Sequence, residues 1–113
     1  MIEFYDFGTI VINGKHYTND VIVFLGKVKD NWWRGEGHKL AIEDLQEVLK
    51  VEPQVVVVGT GYWGLMKVPK EVKRHLDRQG IRLMIEKTGD ATKTFNRLAE
   101  SGEKVVAALH LTC

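Results

Sequence analysis

From residue 41 onward, the chain alternates three times between a helical pattern and a strand pattern. The predicted helices are Ala41–Leu49, Pro69–Gln79 and Asp90–Ser101, and the predicted strands are Val55–Val58, Ile81–Glu86 and Val105–Leu109. In the helical segments the apolar residues recur every three or four positions, whereas the first and last strands are apolar throughout. Strands joined by crossover helices lie parallel with right-handed connections, so this order predicts a parallel β-α-β-α-β unit.

The first forty residues have the composition and turn signals of β structure. Asn13-Gly14 is the strongest of these signals, because both residues tolerate the positive φ angles of a type I′ hairpin turn. The predicted strands are Ile2–Phe7, Thr9–Ile12, Lys15–Thr18, Val21–Leu25 and Lys29–Trp33. A chain of 113 residues forms one domain of ordinary size. We therefore predict a single layered α/β domain over residues 1–113, whose mixed central sheet is extended or covered by an N-terminal β-hairpin region.

The segment Gly59–Gly64 reads GTGYWG and has the letters of the G-x-G-x-x-G dinucleotide fingerprint. That motif needs a helix that opens within the glycines, so that free N–H groups hold the pyrophosphate. Here the helix is predicted to start only at Pro69, because proline favours the first helical position and disfavours helix in the residue before it. Tyr62 and Trp63 are also bulky where a backbone would approach a phosphate. We interpret the glycines as a tight turn and expect no cofactor.

Ligands of parallel α/β sheets bind beyond the carboxyl ends of the strands. Three such ends should meet at one edge of the predicted sheet and bring hydroxyls, glycine amides and an imidazole together. Thr88 or Asp90 is expected to cap the third helix, whose N-terminus could hold a small anion. Loops and helix caps meet at this edge in every parallel sheet, so a ligand-binding site and a purely structural role both stay open as interpretations. The candidate ligand-binding residues are Gly59, Thr60, Gly61, Thr88, Gly89, Asp90 and His110.

Nucleophilic and metal chemistry have weak support in the sequence. The only serine, Ser101, lies at a predicted helix end, where it is expected to face solvent. His110 and Cys113 form one H-x-x-C pair, but a structural metal site normally needs a second pair of ligands. We therefore predict no catalytic residue and no metal site, and we do not expect an enzyme.

Charge and hydropathy limit the classes of partner. The 16 basic and 15 acidic residues give a net charge of +1, and they are scattered along the chain, so no basic field attracts nucleic acid or an anionic membrane. The longest apolar runs, Val21–Leu25 and Val55–Val58, are too short to cross a bilayer. One cysteine leaves no internal disulfide, and the N-terminus lacks the basic region of a signal peptide. The expectation is a cytoplasmic protein.

Aromatic residues suggest a surface for another protein. In the run Trp32-Trp33-Arg34, neighbouring residues of a strand face opposite sides, so one tryptophan can enter the core while the other reaches the surface. Exposed aromatic side chains and arginine are enriched at protein interfaces, although core packing is the alternative for each ring. The candidate interaction residues are Trp33, Arg34, Tyr62 and Trp63.

Four blocks of sequence, VVVVGTG, VPKEV, TGDATKTFN and VVAALHLTC, resemble in order and spacing a small family of unknown biochemical function. This family includes an adipogenesis-associated vertebrate protein with an Mth-type domain and a mitochondrial respiratory complex I assembly factor. The resemblance covers almost the whole chain and implies one α/β domain with a mixed sheet and flanking helices. It carries over no catalytic residue, because no reaction is established for the family. Its better understood members act as assembly or regulatory proteins.

Two functional hypotheses follow. The leading one is a non-catalytic protein-interaction or assembly module with an unidentified protein partner. Exposed aromatic residues and hairpin edges are also compatible with a homodimer. The alternative is a small-molecule, anion-binding protein or enzyme with its site at the carboxyl ends of the parallel strands. The first requires exposed aromatic rings, and the second requires polar groups that are free to meet a ligand.

Overall fold

The computed structural model describes every residue from Met1 to Cys113. The strands are β1 (Ile2–Asp6), β2 (Thr9–Ile12), β3 (Lys15–Tyr17), β4 (Val21–Val23), β5 (Val28–Lys29), β6 (Val55–Gly59), β7 (Arg82–Glu86) and β8 (Val105–Leu109). The helices are α1 (Gln46–Lys50), α2 (Lys70–Arg78) and α3 (Thr88–Glu100), and a short 3₁₀ helix, Ile42–Leu45, precedes α1. None of these helices combines the length and apolar character needed to traverse a bilayer.

A five-stranded mixed sheet forms the centre of the domain, in the order β5-β4-β8-β6-β7. The strands β8, β6 and β7 are parallel, and Val55 of β6 lies opposite Val105 of β8 and Arg82 of β7. The strand β4 runs antiparallel to β8, and β5 antiparallel to β4. Because α2 connects β6 to β7 and α3 connects β7 to β8, the predicted parallel β-α-β-α-β unit is confirmed.

Both faces of the central sheet are buried, which explains the continuous apolar runs. On β6, Val55 and Val57 face a core formed with α3 and the strands β1 to β3. Val56 and Val58 face a second core formed with the 3₁₀ helix, α1 and α2. All four valines are at most 1% exposed. Full burial stabilises the fold by about 1.5–3 kcal/mol per side chain of this kind, so β6 is a central element of both cores.

The N-terminal hairpin region forms a separate antiparallel sheet, β1-β2-β3, that covers one face of the central sheet. At the turn between β2 and β3, φ is 50° at Asn13 and 78° at Gly14, as a type I′ turn requires. Asn96 of α3 holds β1 in place. Its side-chain oxygen accepts a hydrogen bond from the Ile2 N–H at 2.9 Å, and its amide nitrogen donates to the Ile2 carbonyl at 2.8 Å. This side chain bonds to β1 as a neighbouring strand would.

Two predicted elements differ most from the structure. The strand predicted at Lys29–Trp33 ends at Lys29, because Asn31 adopts a left-handed φ of 54° and turns the chain. The helix predicted at Ala41–Leu49 begins as a 3₁₀ turn. No hydroxyl group is available at Ala41 to cap this turn, and the Asp44 carboxylate instead accepts from the Ala41 N–H at 2.8 Å.

Candidate functional site

The structure brings the residues at the three strand ends together, and their polar groups bond largely to one another. The His110 N–H donates to the Gly59 carbonyl at 3.0 Å. The Thr88 hydroxyl donates to the His110 carbonyl at 2.6 Å and accepts from the Gly61 N–H at 2.9 Å. Both hydrogen-bonding roles of Thr88 are therefore filled by the protein itself, and this residue is fully buried.

The other candidates at this edge have different surroundings. Thr60 is buried, and its hydroxyl donates to the carbonyl at the end of β7 at 3.1 Å. Gly89 and Asp90 lie in the first turn of α3, and Asp90 is exposed. The expectation that Thr88 or Asp90 caps this helix is wrong. The helix begins earlier than predicted, Lys87 holds the capping position, and no side chain bonds to the first turn from there.

Gly61 is required by the close approach of the last residues of the chain. Its φ is +110°, and a Cβ atom here would lie 2.4 Å from the carbonyl carbon of Cys113 and 2.5 Å from the carbonyl oxygen of Thr112. The Gly61 carbonyl accepts from the N–H of Thr88, the first residue of α3, at 3.1 Å. The helix that follows these glycines, α2, begins at Lys70, one residue later than the predicted start at Pro69. Gly61 thus packs against the last residues of the chain and the start of α3, a role that needs no phosphate.

A buried cluster of charged side chains lies at the same edge and joins three distant segments of the chain. Nη2 of Arg34 donates to Oδ2 of Asp20 at 2.8 Å, and Nδ1 of His110 lies 2.8 Å from the same oxygen. The N–H of Leu111 donates to the other Asp20 oxygen at 2.7 Å. The side chains of Arg34 and His110 are only 4% and 6% exposed. We call Asp20, Arg34 and His110 the charged cluster.

The Asp20 carboxyl supplies the negative charge of this cluster. Burial by itself raises its pKa, but hydrogen bonds from His110, from the Leu111 backbone and from Arg34 act in the opposite direction and prevail. The pKa of Asp20 is therefore lowered from its ordinary value of 3.8. Its carboxylate remains ionised at neutral pH and holds the other two side chains in place.

Tyr5 reaches the same edge from β1. Its hydroxyl donates to the Leu111 carbonyl at 2.8 Å, and its ring is partly buried. Burial is the main reason that the pKa of Tyr5 is raised to about 12. The phenol thus stays protonated and keeps its hydrogen bond in solutions where an exposed tyrosine is already ionised.

One of the three tyrosines should therefore ionise later than the others in an absorbance titration of tyrosinate. Because the folded-state pKa of Tyr5 lies above its ordinary value of 10.0, its contribution to stability is complete below pH 10.0 and is lost as the pH rises toward about 12. Replacing Tyr5 with Phe should remove the late step, whereas Tyr62→Phe should not. A late step that survives in the Tyr5→Phe protein would contradict this assignment.

Three aromatic rings form a patch on the surface beside the glycine turn. Phe7, Tyr62 and Trp63 are 46%, 43% and 57% exposed. Their ring centroids lie 5.8 Å apart for Phe7 and Tyr62, 5.2 Å for Phe7 and Trp63, and 5.3 Å for Tyr62 and Trp63. We call these three residues the aromatic cluster. The Tyr62 N–H donates to the Thr112 carbonyl at 2.9 Å, so the cluster stands on a well-bonded turn.

The other two candidate interaction residues lie apart from the aromatic cluster. Trp33 is 75% exposed and Trp32 is buried, but both lie beyond the end of β5, so strand alternation is not the cause. It lines a separate groove of about 270 Å³ together with Glu43 and Glu47. The guanidinium of Arg34 is not at the surface, because it lies over the Trp32 ring at 4.7 Å and binds within the charged cluster. Arg34 is thus a buried member of the strand-end site.

Sequence reasoning missed Asp20 and misplaced Arg34. Asp20 directly precedes the buried strand β4, His110 directly follows the buried strand β8, and Arg34 lies two residues after the buried Trp32. An acidic, a basic and an imidazole side chain at such positions could have been considered as a group. No local spacing links them, since Asp20 and His110 are 90 residues apart in sequence. No three His, Cys, Asp or Glu side chains of the protein converge as a metal ion would require.

Solved structures of other proteins share this fold over nearly the whole chain. A conserved hypothetical protein from Pyrococcus horikoshii is 26% identical, with a TM-score of 0.88 over 100% of this chain and 99% of that one. A Bartonella henselae protein described as an outer membrane protein is 24% identical, with a TM-score of 0.84 over 99% and 94% of the two chains. A Bordetella pertussis protein described as a Mth938-like domain is 20% identical, with a TM-score of 0.71 over 98% and 85%.

The last two likenesses, below 25% identity, concern the fold alone. The model of the family described as "Protein of unknown function (DUF498/DUF598)" matches residues 2–110. That match includes the strand-end residues, the charged cluster and the aromatic cluster. The chain belongs to the DUF498/DUF598 family of proteins of unknown function.

Proposed function

We propose that this protein is a non-catalytic interaction module that binds a partner protein through the aromatic cluster. The observation that carries the proposal is the contact of three large rings, each 43% to 57% exposed, on one surface. Contiguous exposed apolar patches are uncommon on monomeric proteins and mark interaction sites. Aromatic side chains are also enriched among the few residues that supply most of the binding energy at interfaces.

A groove beside the aromatic cluster offers a place for one anchoring side chain. Its volume is about 310 Å³, and its lining residues are Tyr5, Asp6, Tyr62, Lys87, Gly89 and Asp90. Apolar rings surrounded by charged groups of both signs resemble the core and rim of a protein interface. The partner that fits is a protein with an exposed aromatic or aliphatic side chain flanked by charged residues.

The resemblance to a family that includes a complex I assembly factor supports an assembly role for this module. In that role the module would hold another protein while its complex forms and would need no catalytic residue. The proposal places the module and its partner in the cytoplasm and requires neither nucleic acid nor a membrane.

Replacing Trp63 with Ala should weaken partner binding about thirtyfold or more, because loss of an interface hot spot costs about 2 kcal/mol or more. The melting temperature should stay within about 3 °C of wild type, since Trp63 is a surface residue. The measurement is quantitative capture from the source cells with wild-type and variant baits. A titration of the purified partner against both proteins follows.

Trp33→Ala is the matched control, since it removes an even more exposed tryptophan outside the cluster. The proposal predicts a partner that binds the wild type and Trp33→Ala equally and Trp63→Ala poorly. Equal binding by all three proteins would exclude the aromatic cluster as the interface. A wild-type dimer that Trp63→Ala dissociates would show that a second copy covers the cluster, which would also overturn the proposal.

A further inference from the structure

The charged cluster contains two buried nitrogen atoms that no protein group satisfies. Nη1 of Arg34 and Nε2 of His110 are both shielded from solvent and lack a hydrogen-bond partner. Buried polar atoms of native proteins are nearly always paired, and an unpaired charged donor is especially costly. The two side chains touch, since Nη2 of Arg34 lies 3.0 Å from Nδ1 of His110. The two unpaired nitrogens thus belong to side chains that contact each other.

The partners of His110 determine its tautomer. The Asp20 carboxylate can only accept, so its 2.8 Å contact requires a proton on Nδ1 of His110. Arg34 can only donate, and its 3.0 Å approach to the same nitrogen therefore joins two donors and is no hydrogen bond. Neutral His110 carries its lone pair on Nε2. When His110 is protonated, Nε2 becomes a second unpaired N–H donor, in addition to Nη1 of Arg34.

The exposed loop of residues 35–39 lies against this cluster. The Gly37 carbonyl accepts from Nε and Nη2 of Arg34 at 3.1 and 2.9 Å, and the His38 ring lies 5.7 Å from that of His110. The Gly37 carbonyl oxygen thus occupies two of the guanidinium N–H donors of Arg34, whose planar arrangement suits oxyanions. Gly35 and Gly37 have open space around their α-carbons. The loop is held instead by backbone contacts, since the Gly35 N–H donates to the Asp44 carboxylate at 3.2 Å and the His38 carbonyl accepts from the Lys67 N–H at 2.8 Å, and these bonds must open if the loop is to move.

We propose that the charged cluster binds a small carboxylate. One carboxylate oxygen accepts from Nη1 of Arg34, and the other accepts from Nε2–H of protonated His110, while the loop of residues 35–39 moves aside to admit the ligand. Asp20 and Arg34 carry opposite charges, so protonation of His110 alone leaves one buried positive charge, which a monoanion neutralises. His38 is the other titratable group that faces His110. Binding is therefore coupled to the uptake of one proton by His110.

The test uses wild-type protein with sodium acetate as the probe and sodium chloride at equal ionic strength as the reference. In chloride, imidazole nitrogen NMR should show neutral His110 with its proton on Nδ1. In acetate at about pH 6, His110 should become doubly protonated. His16 and His75, which lie on β3 and α2 outside the cluster, should not change. Acetate should also raise the melting temperature more at about pH 6 than at about pH 8.

Arg34→Lys is the matching variant, because it keeps the positive charge near Asp20 but lacks the Nη1 donor. Its acetate affinity should fall about tenfold or more, whereas the exposed Arg74→Lys control should bind as wild type. If Arg34→Lys does not fold, the histidine spectra of the wild-type protein still test whether the charged cluster binds acetate. A proton on Nε2 of neutral His110, an unchanged His110 in saturating acetate, or equal shifts of all four histidines would each overturn the proposal. These readouts are independent of the aromatic cluster.

Discussion

Gly61→Ala is expected to lower the free energy of unfolding by about 3 kcal/mol or more. The new methyl group would lie 2.4 Å from the Cys113 carbonyl carbon and 2.5 Å from the Thr112 carbonyl oxygen. Both are backbone atoms, so no side-chain rotation relieves the overlap. The φ of +110° adds further strain for a residue with a Cβ atom, of about 1–2 kcal/mol. Urea unfolding followed by circular dichroism measures the loss.

Gly80→Ala is the matched control for this substitution. Gly80 also has a positive φ, +72°, but an added Cβ meets no atom within 4 Å. Its substitution should cost about 1 kcal/mol from backbone strain alone. The difference between the two variants isolates the overlap with the last residues. That difference should shrink in a chain shortened by Thr112 and Cys113. If both variants lower the free energy of unfolding of the full chain equally, the close packing of Thr112 and Cys113 against Gly61 does not contribute to stability.

The central sheet could be predicted because the sequence patterns that specify its strands and helices are local. Each crossover helix has its own apolar face, and β6 and β8 are apolar on both sides, so the pattern alone indicates a buried parallel sheet. The placement of the hairpin region depends instead on long-range contacts. Asn96 bonds to Ile2 across 94 positions, and a polar residue on a helix gives no sign of such a partner. For this reason, the sequence left open whether the hairpin region extends or covers the sheet.

The site was only partly predictable for the same physical reason. The topology of parallel strands indicated one edge, and the structure brings Gly59, Thr88 and His110 together there. The contacts of Arg34 with Asp20 and His110 span 14 and 76 positions and follow no sequence period. Strand alternation after Lys29 does not describe the Trp32-Trp33-Arg34 run, because the strand has already ended. An arginine expected at the surface is therefore buried at the site.

Asp20→Asn should lower the free energy of unfolding by about 3 kcal/mol at neutral pH. The substitution keeps the size of the side chain but removes the negative charge. Arg34, whose side chain is 4% exposed, would then keep a buried positive charge without a counterion. Asparagine also cannot accept as many charge-assisted hydrogen bonds from His110, the Leu111 N–H and Arg34 as the carboxylate does. Equilibrium unfolding in urea is the measurement.

Glu103→Gln provides the control, since it also removes a carboxylate that binds an arginine. The Arg82–Glu103 pair is 3.1 Å long, but its side chains are 58% and 33% exposed. Solvent screens such a pair, and its loss should cost no more than about 1 kcal/mol. If the two substitutions lower the free energy of unfolding equally, the buried charged cluster contributes no more to stability than an exposed ion pair does.

The pH dependence of the Asp20→Asn effect separates charge from packing. In the folded protein the pKa of Asp20 lies below the ordinary 3.8, so the unfolded chain takes up a proton at higher pH than the folded one. Protonation therefore favours unfolding, and the contribution of Asp20 is complete above 3.8 and is lost as the pH falls through the folded-state pKa. The asparagine side chain of the variant does not titrate, so the stability gap between wild type and variant should narrow in acid. A gap of constant size from about pH 7 to about pH 3 would attribute the loss to altered packing instead of the charge of the cluster.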